Sequence, residues 1–530
     1  MRSFYLRNIA TLAILFLVAH AALAQQQVSI TTSVVGAGGA PVTNLTKADF
    51  SVQDSGKARN IDSFLAPSAY PAKAEPLRPD EFSNATDISQ SGTIFVVLDT
   101  IHTRYVDERD IREMILKFLV KASQANHAVT LAIMSEKGLK VYHDYRTGPD
   151  VLMAALIKDG LAGTKGLTAP SGIKEADVAA EAARLSAFGK GDLSNATPPE
   201  QLLRSSVDAP MLMFQDVARA SYGLPGRKAL VWITNAVPFD VDPKSMQLQS
   251  PKQASLGAPV NGSRVSGSKD AISGDQMKTL MPLWRKSVQE IVYSGVAIYP
   301  VEARGTFSSG SNSFTISVMK TIAQLTGGKA FYGTNDPFPD ILQISNGNVA
   351  GYRLNYQLDG AINNDFHGVE VTTSNPALTV NRPAGYFVTQ VTPKDKAGTE
   401  VSMAMQSPLE YTGIVFRVGV GSIEAVEGGK KKVNLVISMP GDSGVLNEST
   451  RTVDLGLLAV ASNTKGEPVG KMNEGAGGQF PSEAVQQIKE LGFQLKRPMD
   501  VAAGDVTVHF LIRDNQTGRM GTLIFPLKVQ

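Results

Sequence analysis

The chain of 530 residues, 43% of them hydrophobic, carries a formal charge of +2, which is enough material for about three domains with full cores. A near-neutral chain lacks the basic excess that nucleic acids or anionic lipid surfaces attract. With no Cys, disulfides, thiolate metal sites, iron–sulfur clusters and thiol nucleophiles are excluded together.

Arg2 and Arg7, the apolar stretch 9–19 and the small-x-small triplet Ala22-Leu23-Ala24 predict a cleaved signal peptide over residues 1–24. No later apolar run approaches the ~20 residues of a membrane helix, so the expected product is exported, periplasmic or extracellular, with no transmembrane segment. Residues 25–66 alternate short β patterns with turns such as Asp54-Ser55-Gly56, predicting a small N-terminal β unit. Residues 67–92, rich in Pro, Ala, Ser and charge without a period, read as a linker.

Between residues 93 and 351 the pattern changes. Four continuous apolar runs, 93–98, 129–134, 229–233 and 296–301, are of the kind a parallel sheet covered on both faces requires. Ile111, Ile115, Phe118, Leu119 and Ala122 form one helical face, and Met277, Leu280, Met281, Trp284, Val288 and Ile291 another. The expectation is an α/β fold, a doubly wound and mostly parallel Rossmann-like sheet gaining its last strand at Ala330-Phe331-Tyr332. A Gly/Thr-rich loop at 160–172 and a polar insertion at 243–275 interrupt it. From Tyr352 the apolar period becomes two, which predicts a β extension over 352–396. Residues 397–530, with strands separated by Gly, Asn and Asp turns, predict a C-terminal β-sandwich.

The run Phe95-Val96-Val97-Leu98-Asp99-Thr100-Ile101-His102-Thr103 resembles the first strand and metal loop of a von Willebrand factor type A domain. Together with the segment from Gly223 through Ile233, the segment from Val296 to Gly305, Leu325-Thr326-Gly327-Gly328 and Gly385-Tyr386-Phe387, it is similar to exported type A-related proteins of the kind abundant in acidobacteria. The resemblance spans roughly residues 28–388. It implies a type A-like domain over 93–351 that binds a protein ligand at the carboxyl edge of its sheet, through a divalent cation held by Asp-x-Ser-x-Ser, a loop Thr and a late Asp. Asp99 matches the Asp, Thr103 stands for the second Ser, and Thr168 is the candidate loop Thr. Ile101 replaces the first Ser and Asn235 the late Asp. Neither supplies the anionic oxygen that Mg²⁺ prefers, so the metal set of Asp99, Thr103 and Thr168 is degenerate and any Mg²⁺ is expected to be weak, with no other cofactor. Asp99, His102, Thr103 and Asn235 are the expected partner-binding loops.

The six His residues are scattered without a His-x-x-x-His pair, and no Gly-x-Ser-x-Gly elbow occurs. His102 beside Asp99 could form half of a hydrolytic pair, but no nucleophile is nominated. The sequence therefore reads as a non-catalytic adhesion-type module for a protein or cell-envelope partner. The alternative is an assembly subunit acting through strand edges such as 352–358, and, further behind, a secreted hydrolase.

Overall fold

The computed structural model describes residues 26–67, 76–85, 92–103, 105–164, 166–191, 207–249, 274–303, 313–348, 351–358, 363–426 and 429–530. The expected signal peptide over residues 1–24 and residues 250–273 of the polar insertion lie outside the described residues.

The continuous apolar runs form the centre of a five-stranded sheet. Its strands are β6 (Thr93–Asp99), β7 (Ala128–Ser135), β8 (Gly138–His143), β9 (Lys228–Thr234) and β12 (Val296–Glu302), in the order β12-β9-β6-β7-β8. The pairs β12–β9, β9–β6 and β6–β7 are parallel, whereas β8 returns from β7 as an antiparallel edge. Side chains of β6 alternate between two cores, because successive residues of a strand face opposite ways. Phe95 and Val97 pack with α4 (Ala209–Ser221), α5 (Gly274–Tyr293) and α6 (Ser313–Thr326). Ile94, Val96 and Leu98 pack with α1 (Tyr105–Gln124), α2 (Pro149–Lys158), α3 (Glu175–Lys190) and α7 (Phe338–Asn348).

The first strands of the chain are completed by much later ones. β1 (Gln26–Val35) lies between β13 (Gly351–Leu358) and β15 (Thr379–Asn381), with β4 (Ser63–Leu65) on the far side of β13. β2 (Phe50–Asp54) pairs with β3 (Lys57–Arg59) and with β14 (Phe366–Thr373), which also pairs with β16 (Gly385–Phe387). The N-terminal β unit and the β extension are thus interleaved, since neither buries its apolar face without the other's strands. β13, expected to offer an open edge, is interior: all eight of its residues pair with β1, and three of them also with β4.

The C-terminal region is one eight-stranded antiparallel sheet. Its members are β5 (Glu81–Ser83), β17 (Arg417–Ala425), β18 (Lys430–Met439), β19 (Thr452–Asn463), β20 (Pro468–Gln479), β21 (Phe493–Ala502), β22 (Gly504–Asp514) and β23 (Met520–Val529), ordered β23-β22-β19-β20-β21-β18-β17-β5. It curls until its end strands meet, Phe82 of β5 stacking on Phe525 of β23 at 4.7 Å. β20 and β21, linked by α9 (Ser482–Leu491), share the single pair Gly470–Val501. Part of the expected linker is therefore structural, because β5 edges this sheet and Asn84 bonds Tyr411 O, Ile414 O and Phe416 N.

These findings correct the fold class. Among the described residues parallel pairing is confined to one sheet of five, with a small hairpin of β10 (Asp240–Val241) and β11 (Leu248–Gln249) making up the number. The chain is a β-rich, largely antiparallel protein with a near-barrel, and not a doubly wound α/β protein carrying a sandwich. The four apolar runs are conspicuous, but the alternating strands outside them are more numerous. Ala330-Phe331-Tyr332 supplies only an isolated bridge from Phe331 to Val301.

The near-barrel is docked on the five-stranded unit through buried polar contacts. Tyr411 donates to Asp216 Oδ1 at 2.6 Å, and Thr412 bonds the backbone of Arg219, Ala220 and Gly223. The remaining helix, α8 (Gly398–Gln406), precedes this joint. Its Glu400 pairs with Lys286 of α5, so groups that would be costly to bury alone satisfy one another.

Candidate site at the carboxyl ends of the central strands

Parallel register brings the ends of β6, β9 and β12 to one edge: Leu98 lies opposite Ile233, and Glu302 opposite Thr234. Asp99 ends β6 and has no exposed surface. Its Oδ1 accepts from the backbone N–H of Ile101 and of His102, each at 3.0 Å. Its Oδ2 accepts from His102 Nδ1 at 2.8 Å and from Trp232 Nε1 at 3.3 Å. Four donors use the acceptor capacity of one carboxylate. Thr100 adds a further tie, its N–H and hydroxyl both donating to Met134 O at 3.0 Å. The loop after β6 is thus fixed from both sides.

The two residues His102 and Thr103 are buried as well, at 8% and 0% exposure. Neither His102 Nε2 nor Thr103 Oγ1 has a hydrogen-bond partner among the described residues. Asn235, just beyond β9, is 5% exposed, and the buried Glu302 ends β12. Thr168, in contrast, is exposed, in the loop between α2 and α3. No hydrogen bond joins it to Asp99 or Thr103 among the described residues.

These residues do not fit Mg²⁺. The ion demands near-octahedral oxygen ligands, whereas both Asp99 oxygens are already engaged and Ile101 offers no ligand atom. No group of three or more His, Cys, Asp or Glu able to hold a metal occurs among the described residues.

The sequence placed Asp99, His102, Thr103 and Asn235 at the carboxyl ends of the central strands, with Asp99 in a degenerate metal set, and in the structure Asp99 is bonded within its own loop. Sequence reasoning missed Trp232, whose indole N–H holds Asp99 across 133 positions of sequence. The available signal was a Trp inside a continuous apolar strand, since a buried indole N–H needs an acceptor. The Asp99–His102 pair does form, but no Ser or Thr hydroxyl is bonded to Nε2 among the described residues.

No family model and no curated protein matches the chain. Among solved structures it is similar to proximal thread matrix protein 1 of the mussel byssus, at 11% identity and a TM-score of 0.22, covering 48% of this chain and 47% of that one. It is also similar to the PilB minor pilin of Streptococcus sanguinis, at 11% identity and a TM-score of 0.26, covering 49% and 63%. A third is the SpaC pilus adhesin of Lactobacillus rhamnosus GG, at 8% and 0.28, covering 86% and 56%. The chain spans about half to three-fifths of the length of these structures, and TM-scores of 0.22 to 0.28 carry no argument about fold or function. No helix among the described residues is long and apolar enough to cross a membrane.

Proposed function

We propose that the protein is an exported, non-catalytic binding module that presents the partly exposed Thr100 and Ile101, held from beneath by the buried His102 and Thr103, to a protein or cell-envelope partner. The observation that carries this reading is the saturation of Asp99. A carboxylate that spends every acceptor site on its own loop and on Trp232 is a poor general base or metal ligand, but it holds a recognition surface in one shape. The test places a photo-cross-linking residue at Ile101, with a control at Lys465 on the remote turn between β19 and β20, in the full chain exposed to an envelope preparation. Adducts specific to position 101 support the reading, and equal yields at both positions would contradict it.

Assembly through strand edges is a second reading, favoured by the parting of β20 from β21. Beyond Gly470–Val501 each strand has an unpaired edge, bridged at side-chain level by Arg497 and Glu474 at 2.9 Å. β21 carries Pro498 and Lys496, residues that discourage edge pairing, whereas β20 runs through Gly475, Gly477 and Gly478. A cross-linker at Gly475 that joins two copies of the chain, with none formed at Ile101, would favour this reading over the first.

A further inference from the structure

A cavity of about 430 Å³ lies beside the end of α6, its wall including Lys320 of that helix, Gly327, Gly328 and Lys329 just beyond it, and Asn381 and Arg382 at and after β15. It belongs to the amino end of β12, away from the loop after β6. Ile298, the third residue of β12, donates its N–H to Thr326 Oγ1 at 2.9 Å, and the backbone of Gly328 packs on Ile298 O, whereas Glu302 ends the strand at the site described above. Among the described residues no Asp or Glu lines this cavity.

Cations reach it from separate stretches of chain. Lys320 Nζ lies 4.7 Å from the centre of the Tyr332 ring and Lys329 Nζ 5.0 Å from that of Phe331, so each ammonium is held over an aromatic face. Lys329 also pairs with Asp340 at 3.3 Å, but both side chains are 60% exposed, and such a surface pair gives way to a better acceptor at little cost. Arg382 spends its two terminal nitrogens on Glu370 and on the carbonyls of Val369 and Pro383. Behind the wall stands Arg227, 2% exposed, whose Nη2 donates to Thr326 O and whose Nη1 has no partner among the described residues. It abuts Gly327, where an added Cβ would collide with Arg227 Nη2 and Arg382 O. Burial pulls the Arg227 pKa below its ordinary 12.5 and only Tyr299 acts against it, no carboxylate being near enough to do so, yet a guanidinium keeps its charge inside a protein. Set against Asp340 and Glu370, these four cations leave two positive charges without a partner.

Independently of the binding reading above, we propose that this cavity takes the phosphate group of a small phosphate monoester, whose oxygens accept from the ammonium groups of Lys320 and Lys329 while the charges of Arg382 and Arg227 favour the dianion. Such a group carries close to two negative charges at neutral pH and three strong acceptor oxygens, which matches both the unpartnered charge and the donors of two flexible lysines. A carboxylate brings a single charge, and the planar fork best suited to it, that of Arg382, is engaged at both tips. The volume falls within the range of small-molecule pockets, about 300–1,000 Å³, and so accommodates the organic part of the ester as well as the phosphate. An anionic bilayer or a nucleic acid calls for a broad basic surface, which a chain of formal charge +2 does not supply.

The test titrates the full chain calorimetrically with glycerol 3-phosphate. We expect saturable binding that inorganic phosphate displaces and glycerol does not. Lys320→Gln and Lys329→Gln, both at exposed positions, should each weaken it about tenfold, the effect of losing one charged hydrogen bond. Lys465→Gln, on the remote turn between β19 and β20, should leave it unchanged. Two lysine variants keep the test valid if one of them fails to fold. Sulfate or citrate bound as tightly as the ester, an equal loss in Lys465→Gln, equal affinity of wild type and both lysine variants, or no saturable heat would overturn the proposal. Retention on vesicles containing phosphatidic acid, without binding of the soluble ester, would overturn the assignment to a small molecule.

Discussion

Among the described residues the buried carboxylates Asp54, Asp99 and Glu181 each hold a histidine, and the first two do so to different ends. Asp54, 1% exposed at the end of β2, accepts from Ser55 Oγ at 3.1 Å, His367 Nδ1 at 3.0 Å, Tyr356 OH at 2.8 Å and Tyr386 OH. It ties an N-terminal strand to three strands more than 300 residues away, and no atom of that cluster is left buried and unpartnered among the described residues. Asp99 likewise has four donors, but three come from its own loop, and the second ring nitrogen of the histidine it orients is buried without a partner among the described residues. The same pair of side chains is a closed latch in one place and an incomplete contact in the other. An Asp–His pair is therefore informative about ligands only once the second ring nitrogen has been followed.

The largest expected effect lies at the latch. Asp54→Ala leaves two buried tyrosine hydroxyls and an imidazole without their acceptor, and should cost about 3–4 kcal/mol, read as a lower denaturant midpoint. Acid probes the same group without mutation. Burial alone would raise the Asp54 pKa, but hydrogen bonds from His367, Tyr386 and Tyr356 outweigh it and hold the carboxyl at about 2, against an ordinary 3.8. A folded-state pKa below the unfolded one gives stability that is complete above about pH 4 and is lost as pH falls towards 2. The loss is about 2 kcal/mol, and Asp54→Ala should remove that part of the acid dependence.

Smaller effects belong to the loop. Asp99→Ala frees the loop after β6 and orphans the Trp232 N–H, for an expected loss of about 2 kcal/mol. Trp232→Phe keeps the aromatic packing and removes one donor of four, about 1 kcal/mol. Thr103→Val deletes a buried hydroxyl that has no partner among the described residues, so stability should change by less than about 0.5 kcal/mol or rise. A large loss there would show that the hydroxyl has an internal role and sharpen the contrast with the latch. Chemical denaturation of the four proteins side by side ranks these effects.

The sequence made local periodicity legible and long-range closure illegible. The four apolar runs announced central strands, and the helical faces at Ile111 and Met277 announced α1 and α5. β8 was overlooked because Leu139, Val141 and His143 alternate too briefly to stand out, and its place is set by a turn at Glu136-Lys137. Nothing local in Val28 and Ile30 says that their partners are Tyr356 and Leu354, since pairing across the whole chain is decided by which apolar faces remain to be covered. The near-barrel was read as a sandwich for a related reason: alternation reveals which side chains face inward, but not whether the end strands meet. At the site, the residue types around Asp99 were visible. Which atoms they spend on one another depends on Trp232, brought from another strand.

Asp99 is expected to fix its own loop and to hold no divalent cation. Calorimetric titration of the full chain with Mg²⁺ and with Mn²⁺ tests this most directly. We expect no saturable heat below millimolar concentrations for wild type, and the same trace for Asp99→Asn. Sub-millimolar binding by wild type that disappears in Asp99→Asn would contradict it.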